Sequence, residues 1–167
     1  MVTMFRQELA QLSLFQGFDP GQLEHLVPML KYQHFQPGET IFEQGKAAED
    51  LYILINGEVV VRYKPYDGPP LTVARIRSGG VFGWSAAMMR DIYSSGAQAA
   101  EESDVLCISG CQLRKLCEKN PDTGSLLLNR LAGVIAERLQ HTHTQIVNIL
   151  TEGMDLEHNC ENRNGDQ

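Results

Sequence analysis

The chain has 167 residues, with 14 Lys plus Arg against 21 Asp plus Glu and a formal net charge of -7. At roughly 100–200 residues per domain this predicts one domain with at most an appended helix, large enough to bury a core without disulfides or metal. The acidic balance argues against a main task of neutralising nucleic-acid phosphates. No apolar run approaches the roughly 18 residues of a membrane span, and no apolar stretch near the start reads as a signal peptide. The expectation is a cytoplasmic protein that neither spans a membrane nor binds DNA directly.

Phe5, Leu9, Leu12 and Phe15 repeat at helical spacing. Asp19-Pro20 followed by Leu23, Leu26 and Leu30 predicts a second short helix with an acidic N-cap. From Lys31 the pattern changes: Pro37-Gly38, Gly45, Asn56-Gly57, Asp67-Gly68-Pro69-Pro70 and Gly79-Gly80 punctuate short β-rich runs. Turn residues at that density mark a small sandwich or barrel. The clearest predicted hairpin runs from Leu51 to Ile55, turns at Asn56-Gly57 and returns from Glu58 to Lys64. Asn-Gly tolerates the positive φ angles of a two-residue type I′ turn. In the returning strand Val59, Val61 and Tyr63 point one way and Glu58, Val60, Arg62 and Lys64 the other. A further strand pair is expected over residues 71–76 and 97–109.

After Gly110 the pattern is helical again. A short helix from Cys111 to Lys119 stops at Asn120-Pro121. Leu128, Leu131, Ile135, Leu139, Thr142, Ile146 and Ile149 then step by three or four residues, predicting a helix of about 26 residues and about 39 Å. Residues 1–150 are thus expected to form the domain, and the polar residues 151–167 a disordered tail. Cys107, Cys111, Cys117 and Cys160 form no C-x-x-C pair and read as reduced, structural thiols rather than metal ligands.

Helix, Gly-punctuated barrel, short helix and long helix, in that order, resemble a cyclic-nucleotide-binding domain of the kind found in catabolite activator protein-type regulators. The pieces that carry the resemblance are Leu14-Phe15, Pro37-Gly38-Glu39, Gly45, Leu51-Tyr52-Ile53 leading to Gly57, Gly79-Gly80-Val81-Phe82-Gly83, and Asn120-Pro121. They span about residues 10–150. The implied fold is α+β: an antiparallel β-barrel or jelly roll (a double-stranded β-helix) with N-terminal helices, a phosphate-cassette helix and a long C-terminal helix. The implied role is non-enzymatic sensing of a ligand, by a stand-alone bacterial member without a DNA-binding domain.

In that family the phosphate lies on a cassette reading F-G-E-(L/I)-A-L-L, followed by P-R-A-A/S-T. Backbone N–H groups at the helix start face the anion, an Arg adds a bidentate charged contact, and the Glu holds the ribose. This chain reads Phe82-Gly83-Trp84-Ser85-Ala86-Ala87, then Tyr93-Ser94-Ser95. The frame is kept, but Trp84 stands at the Glu position and Tyr93, or Ser94 with a loop one residue longer, at the Arg position. Losing such a buried bidentate contact costs roughly 3 kcal/mol, over a hundredfold in affinity. The implied ligand-binding residues are Gly83, Trp84, Ser85, Ala86, Tyr93, Ser94, Ser95 and Thr142. Ser85 either caps the small helix or touches an anion, and Trp84 either stacks on a base or plugs the pocket. Thr142 falls where relatives read the purine, though a Thr there equally back-bonds within its helix. Arg90 reads as a solvated helix-end cation, or swings in to replace the missing Arg. Cyclic AMP is the inherited ligand, and the missing Glu and Arg count against it.

Three other chemistries fit these residues less well. Gly83-Trp84-Ser85-Ala86-Ala87 is one residue from a G-x-S-x-G nucleophile elbow, but the surroundings are short and the later histidines lie on the last helix or tail. An iron–sulfur sensor needs clustered cysteines. His141 and His143, two apart on a helix, point away from each other and cannot share a metal, while His158 and Cys160 would bind one only adventitiously. A helix-turn-helix needs more chain than the tail after Leu150 provides. The apolar stripe from Leu128 to Leu150 suits a homodimer. The competing reading is a ligand-independent dimerisation or protein-interaction module with a degenerate pocket.

Overall fold

The punctuated middle of the chain forms eight strands in the computed structural model, which describes residues 2–161, with side chains over residues 7–152. Helix α1 (Val2–Gln11) is followed by a 3₁₀ turn (Ser13–Phe15) and by α2 (Pro20–Leu26). Asp19 caps α2 as expected. Its carboxylate accepts from the Gln22 N–H at 2.8 Å while the Gln22 side-chain oxygen accepts from the Asp19 N–H at 3.0 Å, two orphan donors satisfied reciprocally.

The strands are β1 (Lys31–Phe35), β2 (Thr40–Phe42), β3 (Asp50–Asn56), β4 (Glu58–Tyr63), β5 (Leu71–Arg77), β6 (Val81–Phe82), β7 (Gly96–Ala99) and β8 (Ser103–Ser109). They make two antiparallel four-stranded sheets, ordered β1-β8-β3-β6 and β2-β7-β4-β5. Between β6 and β7 lies the four-residue helix α3 (Trp84–Ala87). After β8 come α4 (Gly110–Lys119) and α5 (Pro121–Glu161). Phe42, Val59, Val61, Ile76 and Ala97 of one sheet pack with Tyr52, Leu54, Phe82, Val105 and Cys107 of the other to form the core. Leu51, Ile53, Leu106 and Ile108 point the opposite way and are also buried, with α4 packed on β8. β3 and β8 therefore read as near-continuous apolar runs instead of alternating, as strands covered on both faces do.

Two pairing expectations are corrected. β3 and β4 do not form a hairpin: β3 lies between β8 and β6, β4 between β7 and β5, so each has both edges occupied in a different sheet. The Asn56-Gly57 step carries the chain from one sheet to the other. Only Gly57 has a positive φ (+95°), whereas a type I′ turn needs one at both central residues. A Cβ at position 57 would sit 2.4 Å from the Glu102 carbonyl oxygen and from Ser103 Oγ, so glycine is required for the crossing. Residues 97–109 are likewise not one strand. They divide into β7 and β8 in opposite sheets, and β5 pairs with β4 instead.

The chain divides into two units, Met1–Leu131 and Ala132–Gln167. α5 begins in the first, where Leu127 and Leu131 are buried, and supplies the described part of the second. It spans 41 residues, longer than expected, and runs through Glu161 into the segment predicted to be a disordered tail. The rest of that segment, and the side chains of His158 and Cys160, lie outside the described residues. In the second unit Leu139, Ile146, Val147, Ile149 and Leu150 are exposed. Among the described residues no helix is long and apolar enough to cross a membrane.

Candidate functional site

Gly83 begins the site. Its φ of +75° turns the chain out of β6 into α3, and a Cβ there would meet the Asp50 carbonyl oxygen and the Tyr52 ring, each at 3.0 Å. α3 thus starts hard against β3. The Met88 N–H closes its turn on the Trp84 carbonyl at 2.9 Å, and the Arg90 N–H donates to the Ser85 carbonyl at 2.9 Å. The half-buried Trp84 donates its indole N–H to the Val81 carbonyl at 3.0 Å.

Ser85 and Ala86 are buried. Gly83 is the N-cap of α3, with no side-chain capping bond, so Ser85 is not the cap. Its hydroxyl, on a residue 9% exposed, has no hydrogen-bond partner among the described residues. Buried hydroxyls are usually paired, and an unpaired one calls for an explanation.

The segment after α3 is fixed by backbone pairing. Ala48 N–H donates to the Asp91 carbonyl at 3.0 Å, Tyr93 N–H to Lys46 at 2.9 Å and Gly45 N–H to Tyr93 at 2.9 Å. That register turns Tyr93 into the core. Its ring stacks on Phe42 at 3.9 Å between centroids, and Phe42 in turn stacks on Tyr52 and Phe82. The Tyr93 hydroxyl donates to the Asp50 carbonyl at 2.7 Å and accepts from the Asp50 N–H at 3.0 Å. The position expected to hold the phosphate-binding Arg is therefore a neutral, buried aromatic whose polar tip is already satisfied. Ser94 is exposed and Ser95 half-buried beside it. Thr142 belongs to the second unit and is exposed, its hydroxyl donating to the Arg138 carbonyl at 2.9 Å.

The interior behind α3 disfavours charge. Burial pushes the Cys107 thiol up to about 11 and moves the Tyr52 and Tyr93 phenols above their ordinary range. Burial also raises the Asp50 carboxyl. Sequence reasoning missed the roles of Phe42, Tyr52 and Asp50, because strands distant in the chain bring them to Tyr93 and no local spacing announces it.

A second polar constellation lies on β1 and β8. Tyr32 donates its hydroxyl to Asp104 Oδ1 at 2.5 Å, and His34 Nδ1 lies 2.7 Å from the same oxygen. His34 Nε2 is 3.2 Å from Glu102. The Asp104 hydrogen bond raises the His34 pKa, and the His34 and Tyr32 bonds lower that of Asp104. Among the described residues no three His, Cys, Asp or Glu side chains gather as metal ligands.

The family model described as "Cyclic nucleotide-binding domain" matches residues 32–120, more than half of the chain. The cAMP-activated global transcriptional regulator CRP of Pasteurella multocida is 32% identical over 135 residues, covering 80% of this chain and 62% of its own length. A crystal structure described as a cyclic nucleotide-binding protein of Geobacter metallireducens aligns with a TM-score of 0.69 at 27% identity, over 83% of this chain and 99% of that one. A cyclic nucleotide-binding domain from Methylobacillus flagellatus aligns with a TM-score of 0.79 at 18% identity, over 87% and 84% of the two chains, a likeness of fold. The chain spans less than two thirds of the length of the curated relatives it matches.

Proposed function

The chain belongs to the cyclic nucleotide-binding domain family, and from that premise we propose that it is a non-enzymatic regulatory module sensing a cyclic nucleotide or another small anionic ligand at a modified cassette. The observation that carries this reading is the buried Ser85 hydroxyl with no partner among the described residues. An anion on the first turn of α3 would supply its acceptor. The backbone of Gly83 to Ala86 and the hydroxyls of Ser94 and Ser95 would complete a contact made without Glu or Arg. Trp84, its N–H already bonded, offers a ring face to a base. A ligand held this way acts by population shift, favouring one placement of α5 over another. The apolar residues from Leu128 to Leu150 pass the change to a second copy in a homodimer.

A thermal-shift screen of cyclic AMP, cyclic GMP, cyclic dinucleotides and linear nucleotides tests the reading. A ligand at a hundred times its Kd adds about 2.7 kcal/mol, which raises Tm by roughly 5–10 °C at this size. Ser85→Ala is expected to abolish that shift while Tm without ligand changes little. Leu139→Glu with Ile146→Glu is expected to give monomers by light scattering; a persistent dimer removes α5 from the interface.

Tyr93 favours a second reading, an interaction module with a filled pocket, because its ring and hydroxyl take up the space and bonds that an Arg would turn to a phosphate. A screen in which no nucleotide moves Tm, with the dimer intact, would select it.

A further inference from the structure

We propose a second ligand site, for a small zwitterion of amino-acid type, in the cleft between the start of β3, the segment after α3 and the first turn of α4. The cleft has a volume of about 690 Å³, within the range of roughly 300–1,000 Å³ usual for small-molecule sites. Lys31, Arg90 and Arg114 bring three positive charges to its wall, and Glu49, Asp50 and Asp91 three negative ones. None of these six side chains forms an ion pair with a described residue. Six charged residues of both signs thus line one concavity with no ion pair among them, although the charge of Lys31 acts on Asp50.

The backbone holds them there. The Glu49 carbonyl accepts from the Gly110 N–H at 2.9 Å, Asp91 is bonded to Ala48 and Arg90 to Ser85. The Asp50 peptide is held on both sides by the Tyr93 hydroxyl. Gly110 lets α4 begin against α3, since a Cβ there would lie 2.6 Å from the Ala86 carbonyl oxygen. Ser109 caps α4, accepting from the Gln112 N–H, so the positive end of that helix adds to the cationic side of the cleft. At the rim Met89 holds a φ of +56°, a conformation uncommon for a residue with a side chain and one concentrated at ligand clamps.

A balanced wall selects a balanced ligand. A carboxylate or phosphate would lie among Arg90, Arg114 and Lys31, and an ammonium among Glu49, Asp50 and Asp91. Burial raises the pKa of Asp50, and a cation beside it would offset the cost of its charge. Of the residues assigned to the cassette only Ala86 also lines this cleft, so the site stands apart from the cassette reading.

Cys111 is exposed and lines the cleft, so its alkylation rate in the full chain, followed by peptide-resolved mass spectrometry, reports occupancy. The probes are L-glutamine and phosphoethanolamine, with inorganic phosphate and ethanolamine as single-charge controls. Either zwitterion is expected to slow Cys111 by about threefold at twice its Kd, while Cys117, outside the cleft, keeps its rate. Which of the two protects tells a carboxylate from a phosphate ligand. Arg90→Gln with Arg114→Gln, and separately Glu49→Gln, should each remove the protection, and Ser85→Ala should keep it. Equal protection by inorganic phosphate, loss of protection in Ser85→Ala, or no protection by either zwitterion up to about 10 mM overturns the proposal.

Discussion

Tyr93 and Tyr32 both meet an aspartate, in opposite surroundings. Tyr93 bonds the backbone of Asp50 with both lone pair and proton, its ring walled by Phe42. Tyr32 bonds the carboxylate of Asp104 from an exposed strand, and His34 shares the same oxygen. In the first case the partner is an uncharged peptide group and water is excluded, so the contact is strong and indifferent to salt. In the second the partner is charged and wet, so the contact is screened and titrates. The same residue pair serves packing in one place and electrostatics in the other, and burial decides which.

The largest expected effect tests the packing side. Tyr93→Ala should cost about 3–5 kcal/mol, as large-to-small aromatic replacements in cores do, measured by chemical denaturation. Tyr93→Phe keeps the stack and strands the Asp50 N–H without its acceptor, an expected loss of about 1–2 kcal/mol. A loss below about 0.5 kcal/mol would break the comparison by making the hydroxyl incidental.

The electrostatic side predicts a pH window. His34 is raised above its ordinary 6.5, so its contribution is full below that value and fades as pH rises through the raised pKa. Asp104 is lowered below its ordinary 3.8, so its contribution is full above that value and fades as pH falls through the lowered pKa. Their shared contribution is therefore present between 3.8 and 6.5 and declines on either side. In Asp104→Asn an NMR titration should show the His34 pKa falling toward 6.5; an unchanged titration removes Asp104 as its cause. Smallest of all is Arg75→Gln, which breaks the 2.6 Å pair with Glu58. With Arg75 largely exposed, the loss should lie at about 0–1 kcal/mol and vanish in high salt.

The sequence disclosed what neighbouring residues decide. Asp19 and Gln22 stand three apart and cap a helix by themselves, and the ordered glycines carried the fold. Asn56-Gly57 misled because a hairpin turn and a crossing between sheets use the same residues. Only the edges already occupied by β8, β6, β7 and β5 distinguish them. At the cassette the substitutions Trp84 and Tyr93 were legible, but the inward turn of Tyr93 was not. It follows from pairing with residues 45–48 and a stack completed by Phe42. His34 and Asp104 lie 70 residues apart, and no local pattern joins them.

The register of β1 bears on how the molecule forms. Lys31 faces Cys107 and Phe35 faces Ser103, so β1 finds its partner only after nearly the whole barrel has been made. Contacts of such long sequence separation slow folding. At roughly 5–20 residues per second on a ribosome, β1 waits about 4–15 s for β8 to be synthesised. A strand left waiting with open edges invites pairing with another chain. The composition of β1, with Lys31, Gln33 and His34 among its five residues, makes it a poor template for that during the interval.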